Sequence, residues 1–162
     1  MATVYDKDTL AGPIPAVRMA SSTNAGIGAW LILAPFILGY ATIDAALWND
    51  VVCGAWLVVA GLTRAGGTRK NEWLSWTNLG FGVWLILAPF ILNYEGEAAE
   101  AVLEGEAGVG ADPIAGAVGV ANVTGAYWND VVVGILVAVL AAYAAMKTRQ
   151  AKHDAATRVT TT

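Results

Sequence analysis

The sequence predicts an all-α, polytopic membrane protein: four transmembrane helices arranged as two tandem hairpin repeats that insert in parallel. Three observations predict it. The composition is apolar, four long runs are almost free of charge, and a two-helix unit recurs within the chain. Of 162 residues, 57% are hydrophobic, against roughly 45–50% in a typical globular protein. Charged residues make up 14%, against about 25%, and the mean hydropathy is +0.56. That leaves too little polar surface to coat a water-soluble globule.

Composition also excludes several kinds of chemistry. Cys53 is the one cysteine, so neither an intramolecular disulfide nor a paired-cysteine metal or redox site can form. The one histidine, His153, lies in a polar tail. No metal site and no cofactor is therefore expected. A net charge of −4 and a pI near 4.8 disfavour nucleic acid as a partner, because phosphate binding needs basic patches. No Cys/His pair, metal cluster or glycine-rich phosphate loop is present to carry catalysis, and the expectation is a protein that is not an enzyme.

Residues 1–23 are mixed in character, contain Pro13 and Pro15, and read as an N-terminal arm. No charge then occurs from Met19 to Ile43. This run is too long for a signal-peptide core, and Asp6 and Asp8 precede it rather than a basic cluster. It predicts a first spanning helix starting near Asn24. A second apolar stretch covers Ala45 to Thr63, interrupted by Asn49 and Asp50. A third runs uncharged from Trp73 to Tyr94, and a fourth from Tyr127 to Met146, broken only by Asn129 and Asp130.

The repeat fixes how these pair. The segment from Asn24 through Gly26, Gly28, Trp30, Pro35 and Phe36 to Tyr40 returns as Asn78 through Gly80, Gly82, Trp84, Pro89 and Phe90 to Tyr94. The offset is 54, and eight consecutive residues, LILAPFIL, are identical. Trp48-Asn49-Asp50 with Gly54 returns as Trp128-Asn129-Asp130 with Gly134, at an offset of 80. Each unit is thus a two-helix hairpin, and the second carries a 26-residue insertion. An even number of spans per unit inserts both with the same orientation, giving a pseudo-two-fold along the membrane normal. The expected organisation is an arm over 1–23, a first repeat over 24–64 and a connecting loop over 65–77. A second repeat over 78–146 follows, with an acidic insertion at about 95–126, and then a tail over 147–162.

Charge sorts by side in this scheme. Lys7, Arg18, Arg64, Arg69, Lys70, Lys147, Arg149, Lys152 and Arg158 all fall at one end of the four spans. The positive-inside rule assigns that end, with both termini, to the cytoplasm of a multi-pass cell-membrane protein. Asp44, Asp50, Glu95, Glu97, Glu100, Glu104, Glu106, Asp112 and Asp130 lie at the other end.

The pattern Asn-x-Gly-x-Gly-x-Trp-Leu-Ile-Leu-x-Pro-aromatic, followed by Trp-Asn-Asp and a Val/Gly-rich helix, resembles the SPW repeat family of small integral membrane proteins. The resemblance covers both hairpins. The Ser-Pro-Trp of the family name is replaced by Ala34-Pro35-Phe36 and Ala88-Pro89-Phe90. It implies a four-helix membrane protein and no particular activity.

Four groups of residues stand out. Pro35 and Pro89 remove a backbone donor and predict helix kinks, read as packing kinks or, alternatively, as hinges. Trp48 and Trp128 predict interfacial anchors. Asn49, Asp50, Asn129 and Asp130 fall where helices two and four are expected to begin, as helix caps or as a polar site within the membrane. The spacing from Asp50 to Arg64 spans about 21 Å of helix at 1.5 Å per residue, short of the roughly 30 Å hydrocarbon core. Either Arg64 snorkels to the surface or the aspartates lie inside the interface. Small residues, Gly54, Gly61, Gly134 and Ala138 among them, predict close helix packing.

In the insertion, Glu97, Glu100 and Glu104 share a helical face, predicting a short amphipathic helix before Gly105, Gly108, Gly110 and Pro113. From Ile114 to Gly125 the chain is small and apolar, and Asn122-Val-Thr124 matches the glycosylation pattern. The function expected from the sequence is a structural or interaction component that self-assembles as a homo-oligomer or joins another membrane protein within the lipid bilayer. The alternative is ion, proton or small-solute transport or sensing through Asp50 and Asp130 beside the Pro35 and Pro89 kinks.

Overall fold

A computed structural model describes residues 15–66, 73–106 and 113–160. Among them the chain is all-helical: α1 (Pro15–Leu38), α2 (Asp44–Gly66), α3 (Trp73–Ile91), α4 (Tyr94–Glu106) and α5 (Pro113–Thr160). Four segments are long and apolar enough to cross a bilayer, namely Pro15–Leu38, Asp44–Ala65, Trp73–Ile91 and Asn122–Ala151. The protein is a multi-pass membrane protein.

Helix boundaries follow local chemistry. Pro15 opens α1, where a missing backbone N–H costs nothing. Gly39 ends it with φ 82°, and its N–H donates to the Pro35 carbonyl at 3.1 Å. The repeat places Asn93 at the equivalent point after α3, and it too is left-handed, with φ 52°. Glycine and asparagine are the residues that tolerate this conformation, so the one difference between the two Leu-x-Tyr endings preserves the turn. Pro35 and Pro89 are buried in the last turns of α1 and α3, so each shapes the entry to its turn rather than bending the middle of a span.

The starts of α1 and α5 differ most from expectation. α1 starts at Pro15, nine residues ahead of Asn24, because Val17, Ala20 and Ser21 already contribute to its buried stripe. α5 starts at Pro113 instead of near Tyr127 and continues to Thr160. The small apolar stretch of the insertion is therefore the first part of a 48-residue helix. The expected amphipathic helix exists as α4, while Gly108, Gly110 and Asp112 lie outside the described residues.

Hairpin packing is close because glycines remove side chains where backbones meet. A Cβ on Gly28 would lie 2.6 Å from the Gly54 carbonyl oxygen of α2, and one on Gly61 would lie 2.6 Å from that of Ser21 in α1. In the second hairpin a Cβ on Gly82 of α3 would lie 2.6 Å from the Ala138 nitrogen of α5. α1 packs chiefly on α2, and α3 on α5; the hairpins join through α1 with α5 and through α2 with α3. That ring leaves α2 and α5 facing each other diagonally across the bundle axis.

Three buried clusters stack along the axis. At the acidic end, Ala34, Tyr40, Ile43, Ala46, Tyr94, Ala98, Val123 and Ala126 form a lid in which α4 takes part. Leu31, Cys53, Leu57, Leu85, Val133 and Val137 fill the centre, and Val17, Ala20 and Ala144 close the basic end. Outward faces are apolar, with Leu33, Phe36, Ile37, Val52, Val59, Leu62 and Val139 exposed, as expected where the solvent is lipid.

Candidate functional site

Between the lid and the central cluster lies a polar layer contributed equally by the two repeats. Asp50 sits six residues into α2 and Asp130 well inside α5, so neither caps its helix. The expectation that Trp-Asn-Asp marks a helix start fails because the helices extend further toward the acidic end. α2 spans 23 residues, roughly 34 Å at 1.5 Å per residue, which also removes the length conflict. Arg64 does not snorkel. It is buried at 5% exposure, and its Nη2 donates to Thr148 Oγ1 of α5 at 3.0 Å.

Asp50 and Asp130 are both 0% exposed. Each is bonded within its own repeat by the tyrosine that follows the turn after α1 or α3. Tyr40 Oη donates to Asp50 Oδ2 at 2.6 Å, and Tyr94 Oη to Asp130 Oδ2 at 2.7 Å. Each is also bonded across the seam by the other repeat's asparagine. Asn49 Nδ2 donates to Asp130 Oδ2 at 3.0 Å, and Asn129 Nδ2 to Asp50 Oδ2 at 3.4 Å and to Tyr40 Oη at 2.9 Å. The asparagine oxygens in turn receive the other repeat's tryptophan: Trp84 Nε1 donates to Asn49 Oδ1 at 2.8 Å, and Trp30 Nε1 to Asn129 Oδ1 at 2.9 Å. The result is a clasp with pseudo-two-fold symmetry in which every amide group has a partner.

Cys53 breaks that symmetry. It occupies the position that Val133 holds in the second repeat, and its thiol reaches Asn49 Oδ1 at 3.7 Å. Glu97 of α4 adds a latch outside the clasp. Its carboxylate accepts the Ala45 N–H at the start of α2, at 3.0 Å and 3.1 Å to the two oxygens. A carboxylate at a helix N-terminus satisfies an orphan donor and meets the positive end of the helix dipole.

The electrostatics centre on what the aspartates lack. Asn49 and Asn129 bridge the two carboxyl groups into one layer, and Oδ1 of each has no donor. Around them stand Tyr40, Tyr94, Asn49, Asn129 and Cys53, none of them a cation. Burial first, and the aspartate beside it second, hold each tyrosine hydroxyl well above a tyrosine's ordinary range. Both phenols therefore stay protonated and act as donors.

Of the residues singled out from sequence, Asn49, Asp50, Asn129 and Asp130 are thus brought together. Pro35 and Pro89 are buried on the lid side of the same layer, and Trp48 and Trp128 point outward at 64% and 61% exposure. Tyr40, Tyr94, Trp30, Trp84 and Glu97 complete the site without having been singled out. All but Glu97 are identical between the repeats, and that identity of polar-tipped aromatics in an apolar run was the available signal.

A family model described as SPW repeat domain matches residues 18–117, a stretch that carries α1 to α4 and the start of α5. No curated protein and no solved structure matches the chain.

Proposed function

The chain belongs to the SPW repeat family, and we propose that it is a proton-binding membrane protein whose Asp50–Asp130 pair holds an exchangeable proton. The observation that carries this reading is two fully buried carboxyl groups held in one layer by the Asn49 and Asn129 bridges, each with an oxygen that lacks a donor. Two carboxylates in that position repel strongly unless a proton lies between them, as in paired-aspartate sites. Ionisable groups within a membrane span are retained for function more often than for stability. Sensing of pH or proton-coupled transport are the activities such a pair supports. Infrared difference spectroscopy on the reconstituted protein tests it. The expected result is a protonated-carboxyl band that disappears in Asp50→Asn/Asp130→Asn; a spectrum identical in the wild type and that variant removes the reading.

A structural or interaction role is the second reading, favoured by a different observation. Gly26 and Gly80 are equivalent, exposed glycines of α1 and α3 whose added Cβ would meet nothing within 4 Å. Flat sites of this kind suit the approach of another helix, in a homo-oligomer or a complex with another membrane protein. Cysteine crosslinking at Gly26 and Gly80 in native membranes tests it, and absence of any crosslinked species counts against it. In both readings the basic end, with both termini, faces the cytoplasm across the cell membrane, and the chain works without a catalytic centre, metal or cofactor.

A further inference from the structure

A second polar level lies on the bundle axis, toward the basic end from the acid pair. Between the two stand Leu31, Leu57, Leu85 and Val137, all with 0% exposure. Beyond this apolar closure come Ser21 and Asn24 of α1 and their repeat equivalents Ser75 and Asn78 of α3, each buried at 3% exposure or less.

Their direction follows from helix phase. On α1, Val17 and Ala20 pack with Ala144 of α5, while Ser21 and Ala25 abut Gly61 of α2. Asn24 lies between those two contact lines, which turns its side chain inward. On α3, Phe81 stacks on Trp56 of α2 at 5.4 Å between centroids, and Gly82 abuts Gly134 and Ala138 of α5. Asn78 lies between these lines in the same way. The two asparagines therefore point into the bundle at a common depth.

Three oxygens at this level are buried without a hydrogen-bond partner: Asn24 Oδ1, Asn78 Oδ1 and Ser75 Oγ. Leaving such groups bare inside a protein costs about 1–3 kcal/mol each, and buried waters are the usual remedy. The two amide oxygens require a donor. A metal cation would find no carboxylate among the described residues here, and the Arg64 guanidinium, buried beside Thr148 one turn beyond Gly61, opposes one. Water supplies the donors without charge.

We propose that Asn24, Asn78 and Ser75 bind a buried water cluster through which protons reach the Asp50–Asp130 pair from the basic end. This rests on the acid-pair reading. Each transfer breaks one O–H bond on a donor water and forms one on the next oxygen, the last acceptor being a carboxylate oxygen of the pair. The cluster is unchanged once a proton has passed. Leu31, Leu57, Leu85 and Val137 set the rate, because water must cross their level. The titratable groups facing the path are Asp50 and Cys53 of α2, Asp130 of α5, Tyr40 and Tyr94 at the lid, and Arg64 at the basic end.

Two measurements on the full chain in lipid vesicles test it. Solid-state NMR of the wild type should show magnetisation transfer from water to the Asn24 and Asn78 side-chain amides; no transfer overturns the cluster. Deuterium exchange of the acid-pair carboxyl, followed by infrared, should slow about tenfold in Asn24→Leu/Asn78→Leu, and less in the milder Ser75→Ala. An unchanged exchange rate in a folded variant overturns the relay. A wild type with no protonated-carboxyl band sinks the acid pair and the relay with it, while water transfer at Asn24 and Asn78 would still establish the cluster.

Discussion

Asn49 of the first hairpin donates to Asp130 of the second at 3.0 Å. The same amide also accepts the Trp84 indole at 2.8 Å, so one side chain holds two elements of the opposite repeat. Removing it leaves Asp130 with Tyr94 as its donor and takes the acceptor from the part-buried Trp84 indole N–H. Asn49→Leu should lower stability by about 1–3 kcal/mol, measured by unfolding in mild detergent. By the pseudo-two-fold, Asn129→Leu should fall in the same range; a loss confined to one of the two would show that the clasp is not shared equally.

Tyr40 and Tyr94 donate at 2.6 Å and 2.7 Å to the two aspartates. Tyr40→Phe removes a donor to Asp50 and also one of the two acceptors of Asn129, whereas Tyr94→Phe removes a donor to Asp130. Both should destabilise by about 1 kcal/mol, with Tyr40→Phe the more costly, and both should move the carboxyl band in the infrared. A band that ignores both substitutions would place its origin elsewhere.

The glycines divide into two kinds that one substitution separates. Gly54→Ala puts a methyl 2.6 Å from the Gly28 carbonyl oxygen, which forces the α1–α2 backbones apart at a cost of about 1–3 kcal/mol. Gly26→Ala meets open space and should be neutral or stabilising by up to about 1 kcal/mol from helix propensity. Thermal shift of the two variants side by side decides it, and equal losses would contradict the helix spacing.

Glu97 ties α4 to the first turn of α2 through the Ala45 N–H. Glu97→Gln keeps an acceptor but loses the charge facing the helix dipole, at a cost of about 0.3–1 kcal/mol. Hydrogen exchange should then quicken at the start of α2 and along α4, with α3 unaffected. Protection unchanged at Ala45 would show that the latch carries no weight.

Orientation is open to direct measurement. In a Cys53→Ala background, Glu95→Cys at the acidic end should react with a membrane-impermeant thiol reagent added outside intact cells, while Arg149→Cys should react only after permeabilisation. The reverse pattern would invert the positive-inside assignment.

The four spans, their pairing and the segregation of charge were legible in the sequence because each is a property of one segment or of two segments compared. Absence of charge over 25 residues, an offset of 54 and the placement of Arg64 or Glu97 relative to the spans all follow from counting. Helix ends were less legible. Pro15–Thr23 and Pro113–Ala126 are too short to read as spans, and both continue into the spans beside them as single helices.

By itself, then, the sequence determined four membrane helices in two like hairpins and marked Asn49, Asp50, Asn129 and Asp130 as the polar residues inside them. Only the tertiary structure decided that these four meet. Asp50 and Asp130 stand 80 positions apart on diagonal helices, and their approach depends on the crossing of two glycine-packed hairpins, a relation that no local pattern encodes. Long-range packing likewise turned Tyr40, Tyr94 and Arg64 inward and brought the Trp30 and Trp84 indole N–H groups to the asparagines, where neighbouring helices supply partners that an isolated span in lipid could not.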